Sequence, residues 1–144
     1  MKPKIFINQV DDAKIVDAIA RAERQTSGEI RVYISEQEAP DPLAEAKKQF
    51  TLLGMEKTEQ RNAVLIFIAP QSQTFAICGD RAVHLKCGEN FWETTATKMR
   101  AHFKDAKFTE ALLIAIESIA EILKAHFPCA PDDRNELPNT LEGG

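Results

Sequence analysis

The chain has 144 residues, the length of one domain, and its 44% hydrophobic and 28% charged residues give the balance of an ordinary soluble globular protein. With 18 Lys and Arg against 22 Asp and Glu the formal charge is −4, which argues against a nucleic-acid binder, because phosphate neutralisation needs a basic face and the longest basic run is only Lys47-Lys48. No run approaches the roughly 18 apolar residues of a membrane span, and Met1 to Asn8 lacks the continuous apolar core of a secretory signal, so a cytoplasmic location is expected unless a leader has been removed.

Three cysteines, Cys78, Cys87 and Cys129, cannot all pair within one chain and form no Cys-x-x-Cys, so structural zinc is not expected. From Asp11 to Gln25, Ile15, Ala18, Ile19 and Ala22 recur at helical spacing, with Asp11 placed as a cap and Gly28 just beyond the end. Glu29 to Ser35 alternates as a strand, with Ile30, Val32 and Ile34 on one face and Arg31 and Tyr33 on the other. Asp41-Pro42 opens a second helix with Leu43, Ala46, Phe50 and Leu53 as its stripe, and Gly54 ends it.

Val64 to Ala69 is apolar on both faces, the mark of a central strand covered on each side. Pro70-Gln71-Ser72-Gln73 then reads as a hairpin connection to Thr74 to Cys78, which makes these two strands antiparallel. A short helix follows Asp80, with Val83 and Cys87 inward and Gly88 as terminator. Phe91, Trp92, Ala96, Met99 and Phe103 recur on the next helix. Leu112, Ala115, Ile116, Ile119 and Leu123 form the stripe of a last one, Phe108 to His126, which Pro128 stops. Residues 1–130 are therefore expected as one domain and 131–144 as a polar tail.

The loops also fix a register. Pairing Ala69 with Thr74 sets Asp80 beside Ala63, and the strand, helix, strand unit from Glu29 to Val64 makes those strands parallel through a right-handed crossover. Glu29, Asn62 and Asp80 then share one end of a mixed sheet. Two carboxylates and an amide carbonyl are hard oxygen ligands, suited to Ca²⁺ or Mg²⁺. Each has a plainer reading: Asp80 as a helix cap, Glu29 paired with Arg31, and Asn62 with Arg61 as loop-fixing groups. Glu56 and Glu59 lie in the same loop, where surface charge is the simpler account. His84, His102 and His126 share no spacing. The run Asp132-Asp133-Arg134-Asn135-Glu136 lacks the glycine and ligand spacing of an EF-hand.

Several chemistries are missing. There is no phosphate-binding Gly-x-x-x-x-Gly-Lys, no Gly-x-Gly-x-x-Gly and no Gly-x-Ser-x-Gly elbow. Cys129 and Arg134 have the wrong separation for a Cys-x5-Arg cradle, and no Asp-x-Asp supplies a phosphoryl acceptor.

Thr26-Ser27-Gly28-Glu29-Ile30, Leu53-Gly54-Met55, Thr58, Arg61-Asn62-Ala63-Val64-Leu65-Ile66, Ile77-Cys78-Gly79-Asp80, Gly88 with Phe91-Trp92, and Asn135-Glu136-Leu137-Pro138 follow in the order of a known pattern. In these the chain resembles the TPM domain family, that of the thylakoid-lumen acid phosphatases and their bacterial relatives. The resemblance implies an α/β fold, a three-layer α/β/α sandwich with a small mixed central sheet. It also implies divalent-cation binding and weak acid phosphatase activity. Many members carry a signal peptide and a transmembrane tail; this sequence shows neither, so an envelope role is not expected. The favoured expectation is a non-catalytic interaction module that binds Ca²⁺ or Mg²⁺ at the sheet edge, with another protein as the second candidate partner. The alternative is a weak metal-assisted phosphomonoesterase helped by Arg61 or Arg81.

Overall fold

The computed structural model describes residues 1–88 and 90–129. The expected tail, 131–144, with its Asn135-Glu136-Leu137-Pro138 motif, lies outside the described residues.

In chain order the elements are α1 (Pro3–Asn8), α2 (Asp12–Glu23), β1 (Ile30–Ile34), α3 (Pro42–Leu52), a 3-10 turn (Met55–Lys57), β2 (Val64–Ala69), β3 (Thr74–Gly79), α4 (Arg81–Cys87), α5 (Glu93–Lys104) and α6 (Phe108–His126). Helix α2 starts where its cap dictates, since Asp11 Oδ1 accepts the Lys14 amide proton at 3.2 Å. Its apolar face buries Ile15, Ala18 and Ala22. Helix α3 is capped in the same way, the Asp41 carboxylate accepting from the Ala44 amide at 3.3 Å. Its stripe departs from the sequence reading at one end: Ala46 and Phe50 are buried, whereas Leu43, in the first turn, is 38% exposed.

The sheet has the order β1-β2-β3. Strands β1 and β2 are parallel, with Ile30 opposite Val64. Strands β2 and β3 are antiparallel, with Ala69 opposite Thr74 and Val64 opposite Gly79, so the register read from the hairpin length is the one observed. Every residue of β2 is buried. Side-chain alternation divides the core in two. Ile30, Val64, Ile66 and Ile77 pack with residues of α2 and α6 on one face. Leu65, Phe67, Ala76 and Cys78 pack with Ala46 and Phe50 of α3 on the other. These are the layers of an α/β/α sandwich, with a crossover helix on the face opposite the long carboxy-terminal one.

Two features were not anticipated. Helix α1 inserts Phe6 against Phe108, with ring centroids 4.9 Å apart, and brings it within 6.3 Å of Phe103. Phe91 and Trp92 precede α5 rather than belonging to it, and they meet edge-on at 4.8 Å with the His84 ring beside both. Among the described residues no helix is long and apolar enough to cross a membrane.

The carboxy-terminal end of α6 is tied to the entrance of β1. The Ser27 amide donates to Phe127 O at 2.9 Å, the Thr26 hydroxyl donates to the same carbonyl, and Thr26 Oγ1 accepts from the Gly28 amide at 3.0 Å. Gly28 has to be small, because a Cβ there would lie 3.0 Å from both Asn62 O and a Leu123 methyl. Gly79 is constrained likewise by Val83 and Phe91 at 3.0 and 3.2 Å. Both glycines border the polar end of the sheet, where close-packed neighbours leave no room for a side chain.

Candidate functional site

The polar end of the sheet is built by the ladder. The Val64 amide donates to Glu29 O at 2.8 Å and the Asp80 amide donates to Ala63 O at 2.9 Å, so Glu29, Ala63 and Asp80 stand in one row across the three strands. With strands about 4.8 Å apart, Glu29 and Asp80 are separated at the backbone by roughly twice that spacing. By alternation both belong to the α3 face; Asn62 precedes β2 at the same end of the sheet.

Asp80 is nearly buried, only 6% exposed. Its carboxylate is gripped by Arg61 through two parallel bonds, Nε to Oδ2 at 2.8 Å and a terminal nitrogen to Oδ1 at 3.0 Å. Oδ1 also accepts the Arg81 amide at 2.7 Å, so Asp80 caps α4. A carboxylate offers about four acceptor positions, and three are taken here. The bond to Asp80 holds the Arg61 guanidinium above its ordinary pKa, opposed by partial desolvation and reinforced by the charges of Asp80 and Glu56. Arg61 reaches this position from a left-handed backbone, φ 53°, which a residue with a Cβ adopts at a cost. Its carbonyl accepts the Ala82 amide at 3.0 Å, locking the loop to α4.

Asn62 is 1% exposed and spends its Nδ2 on Ser27 Oγ at 3.1 Å. Glu29 is partly exposed and pairs with Arg31 Nε at 3.0 Å, two residues along the same face. Each of the three residues thus has its own partner: Arg61 for Asp80, Ser27 for Asn62, Arg31 for Glu29. Both plain readings, the cap and the strand-start ion pair, describe contacts that exist.

Sequence reasoning missed Glu23. From the last position of α2 its Oε2 accepts the Ile30 amide at 3.0 Å, closing the first free donor of β1. The residue is exposed as a whole, yet its carboxylate is turned inward. Desolvation raises its pKa above the ordinary 4.5, with Glu29 adding to the rise while the Ile30 bond and Arg31 oppose it. No local motif marks it, because Glu23 meets Ile30 only once α2 has turned back on β1. Thr58 and Ser27 likewise act as local clamps, Thr58 Oγ1 accepting from the Asn62 amide at 3.3 Å. Glu59 is exposed and Glu56 partly so. His84, His102 and His126 sit on α4, α5 and α6.

Among the described residues no three of His, Cys, Asp or Glu converge in a group able to hold a metal. The donor types at the sheet end fit a hard cation, but Asp80 already carries a cationic partner.

The model of the TPM domain matches residues 3–122. The chain belongs to the TPM domain family. Among solved structures it resembles the BA42 protein of the psychrophilic bacterium Bizionia argentinensis, at 39% identity and a TM-score of 0.77, over 92% of this chain and 91% of that one. The N-terminal domain of a P. gingivalis protein is similar in fold alone, at 13% identity and a TM-score of 0.62, over 79% of this chain and 74% of that one. No curated protein matches. Within this TPM domain the motifs Ser27-Gly28-Glu29, Arg61-Asn62-Ala63 and Gly79-Asp80 are the ones that the sheet brings to a single end.

Proposed function

We propose that this TPM domain binds a divalent cation, Ca²⁺ or Mg²⁺, at the sheet end through Asp80, Asn62 and Glu29, and works as a non-catalytic interaction module. The observation that carries this reading is the nearly buried Asp80 carboxylate, compensated by a single arginine side chain held in a strained backbone. A buried carboxylate needs a cationic partner. A divalent ion would supply that charge in place of Arg61, whose side chain is 35% exposed. The remaining ligands on this reading are hard oxygens, which is the donor set of Ca²⁺ and Mg²⁺.

The phosphomonoesterase alternative uses the same ion with Arg61 or Arg81 as the cationic clamp. It also needs a positioned nucleophile or base, and Asp80, with three of its acceptor positions taken, is poorly placed to be either. The module reading is therefore preferred.

Thermal unfolding tests it. An ion that binds only the folded state stabilises it by RT ln(1 + [L]/Kd), about 2.7 kcal/mol at a hundredfold excess over Kd. Excess Ca²⁺ should raise the melting temperature, and Asp80→Asn should remove most of the rise. An undiminished rise in that variant discards Asp80 as a ligand.

A further inference from the structure

A second polar and apolar combination lies at the far end of the sheet. Strand β2 runs from Val64, beside the row of Glu29 and Asp80, to Ala69, about 17 Å away at ~3.3 Å per residue. There, where the hairpin, α1 and the end of α5 meet, a cleft of about 490 Å³ opens. That volume falls within the roughly 300–1,000 Å³ of small-molecule sites.

Four phenylalanines form its floor. Phe6 and Phe108 are 4.9 Å apart, Phe75 and Phe103 are 5.3 Å apart, and Phe103 links the two pairs at 6.3 and 6.2 Å. Arg100 and Lys104, one turn apart on α5, line the same cleft, with the Arg100 guanidinium 5.8 Å from the Phe75 ring. Among the described residues neither takes part in an ion pair, and no Asp or Glu lines the cleft. Two cationic side chains without an ion-pair partner among the described residues, over an aromatic floor, make a site with an apolar interior and a positive mouth.

We propose that this cleft is a second binding site, for a small amphiphile with one carboxylate head on a medium-length apolar body. The body is buried on the phenylalanine floor, where removal of apolar surface from water drives association. The carboxylate meets Arg100 and Lys104, the arginine offering a planar pair of donors and the lysine a point charge. Because Arg100 already lies over the Phe75 ring, part of the head-group site is formed before the ligand arrives.

The test uses the full chain, labelled with ¹⁵N, and two probes of equal length, decanoate below its micellar range and decanol. Decanoate should shift the amides of Thr74, Phe75, Phe103 and Lys104. Arg100→Gln with Lys104→Gln should weaken decanoate about tenfold, the worth of one charge-assisted contact, while decanol binding changes less than about twofold. Both side chains are exposed, so the double variant should keep the wild-type melting temperature. Shifts elsewhere, no shifts, or decanoate affinity unchanged in the double variant each overturn the proposal. So does a response confined to anionic phospholipid vesicles, which would make the cleft a lipid-surface contact instead.

Discussion

Asp80 and Arg61 decide the chemistry of the sheet end, and their substitutions should separate charge from shape. Replacing Arg61 by Gln removes the bidentate partner of a nearly buried carboxylate, so the ion-free protein should lose about 1–3 kcal/mol in chemical denaturation. Calcium should bind Arg61→Gln more tightly than wild type, since it no longer competes with a guanidinium; weaker binding would mean that Arg61 supports the ion rather than excluding it. Glu29→Gln keeps the side-chain shape and its partner Arg31 is exposed, so ion-free stability should change by less than about 0.5 kcal/mol while calcium affinity falls. Glu23 makes a pH prediction. Its folded-state pKa is raised, so the native state binds the proton more tightly than the unfolded chain does, and stability should increase as pH falls through the region just above 4.5. Glu23→Gln should flatten that part of the stability curve. A curve of unchanged slope would exclude Glu23 as its source.

At the scale of elements, β2 is the strand on which everything else is aligned. Ile66 is fully buried between β1 and β3 and packs toward α6, so Ile66→Ala should cost about 2–5 kcal/mol, read from the denaturation midpoint. A loss below 1 kcal/mol would mean that the core refills the space. This strand was legible because its unbroken apolar run has one simple meaning, and Pro70 to Gln73 fixed the pairing of Ala69 with Thr74. The same arithmetic placed Asp80 beside Ala63. What the sequence did not reveal depends on side-chain reach and on short elements. Helix α1 has six residues and buries only Phe6, too little periodicity to stand out, although Pro3 at its first turn was a usable sign. Leu43 fitted the stripe of α3 by spacing yet stays exposed. The Arg61 clasp needs a left-handed backbone at a residue that gives no hint of one, and Glu23 meets Ile30 only through the packing of α2 on β1.

At the scale of the whole molecule, a TPM domain that works as the proposed non-catalytic module should hydrolyse p-nitrophenyl phosphate at a rate near background, at mildly acidic and neutral pH, with or without Mg²⁺. A robust rate that disappears in Glu29→Gln with Asp80→Asn would favour the phosphomonoesterase alternative. The central claim concerns the ion and not the turnover. It is tested most directly by titrating Ca²⁺ into the ¹⁵N-labelled, ion-free protein and following each backbone amide. Saturable shifts centred on Glu29, Asn62, Asp80 and the Arg61 loop, lost in Asp80→Asn and weakened in Glu29→Gln, are the predicted result. Shifts that centre elsewhere, that persist in both variants, or that fail to appear in the millimolar range would contradict a cation site at this end of the sheet.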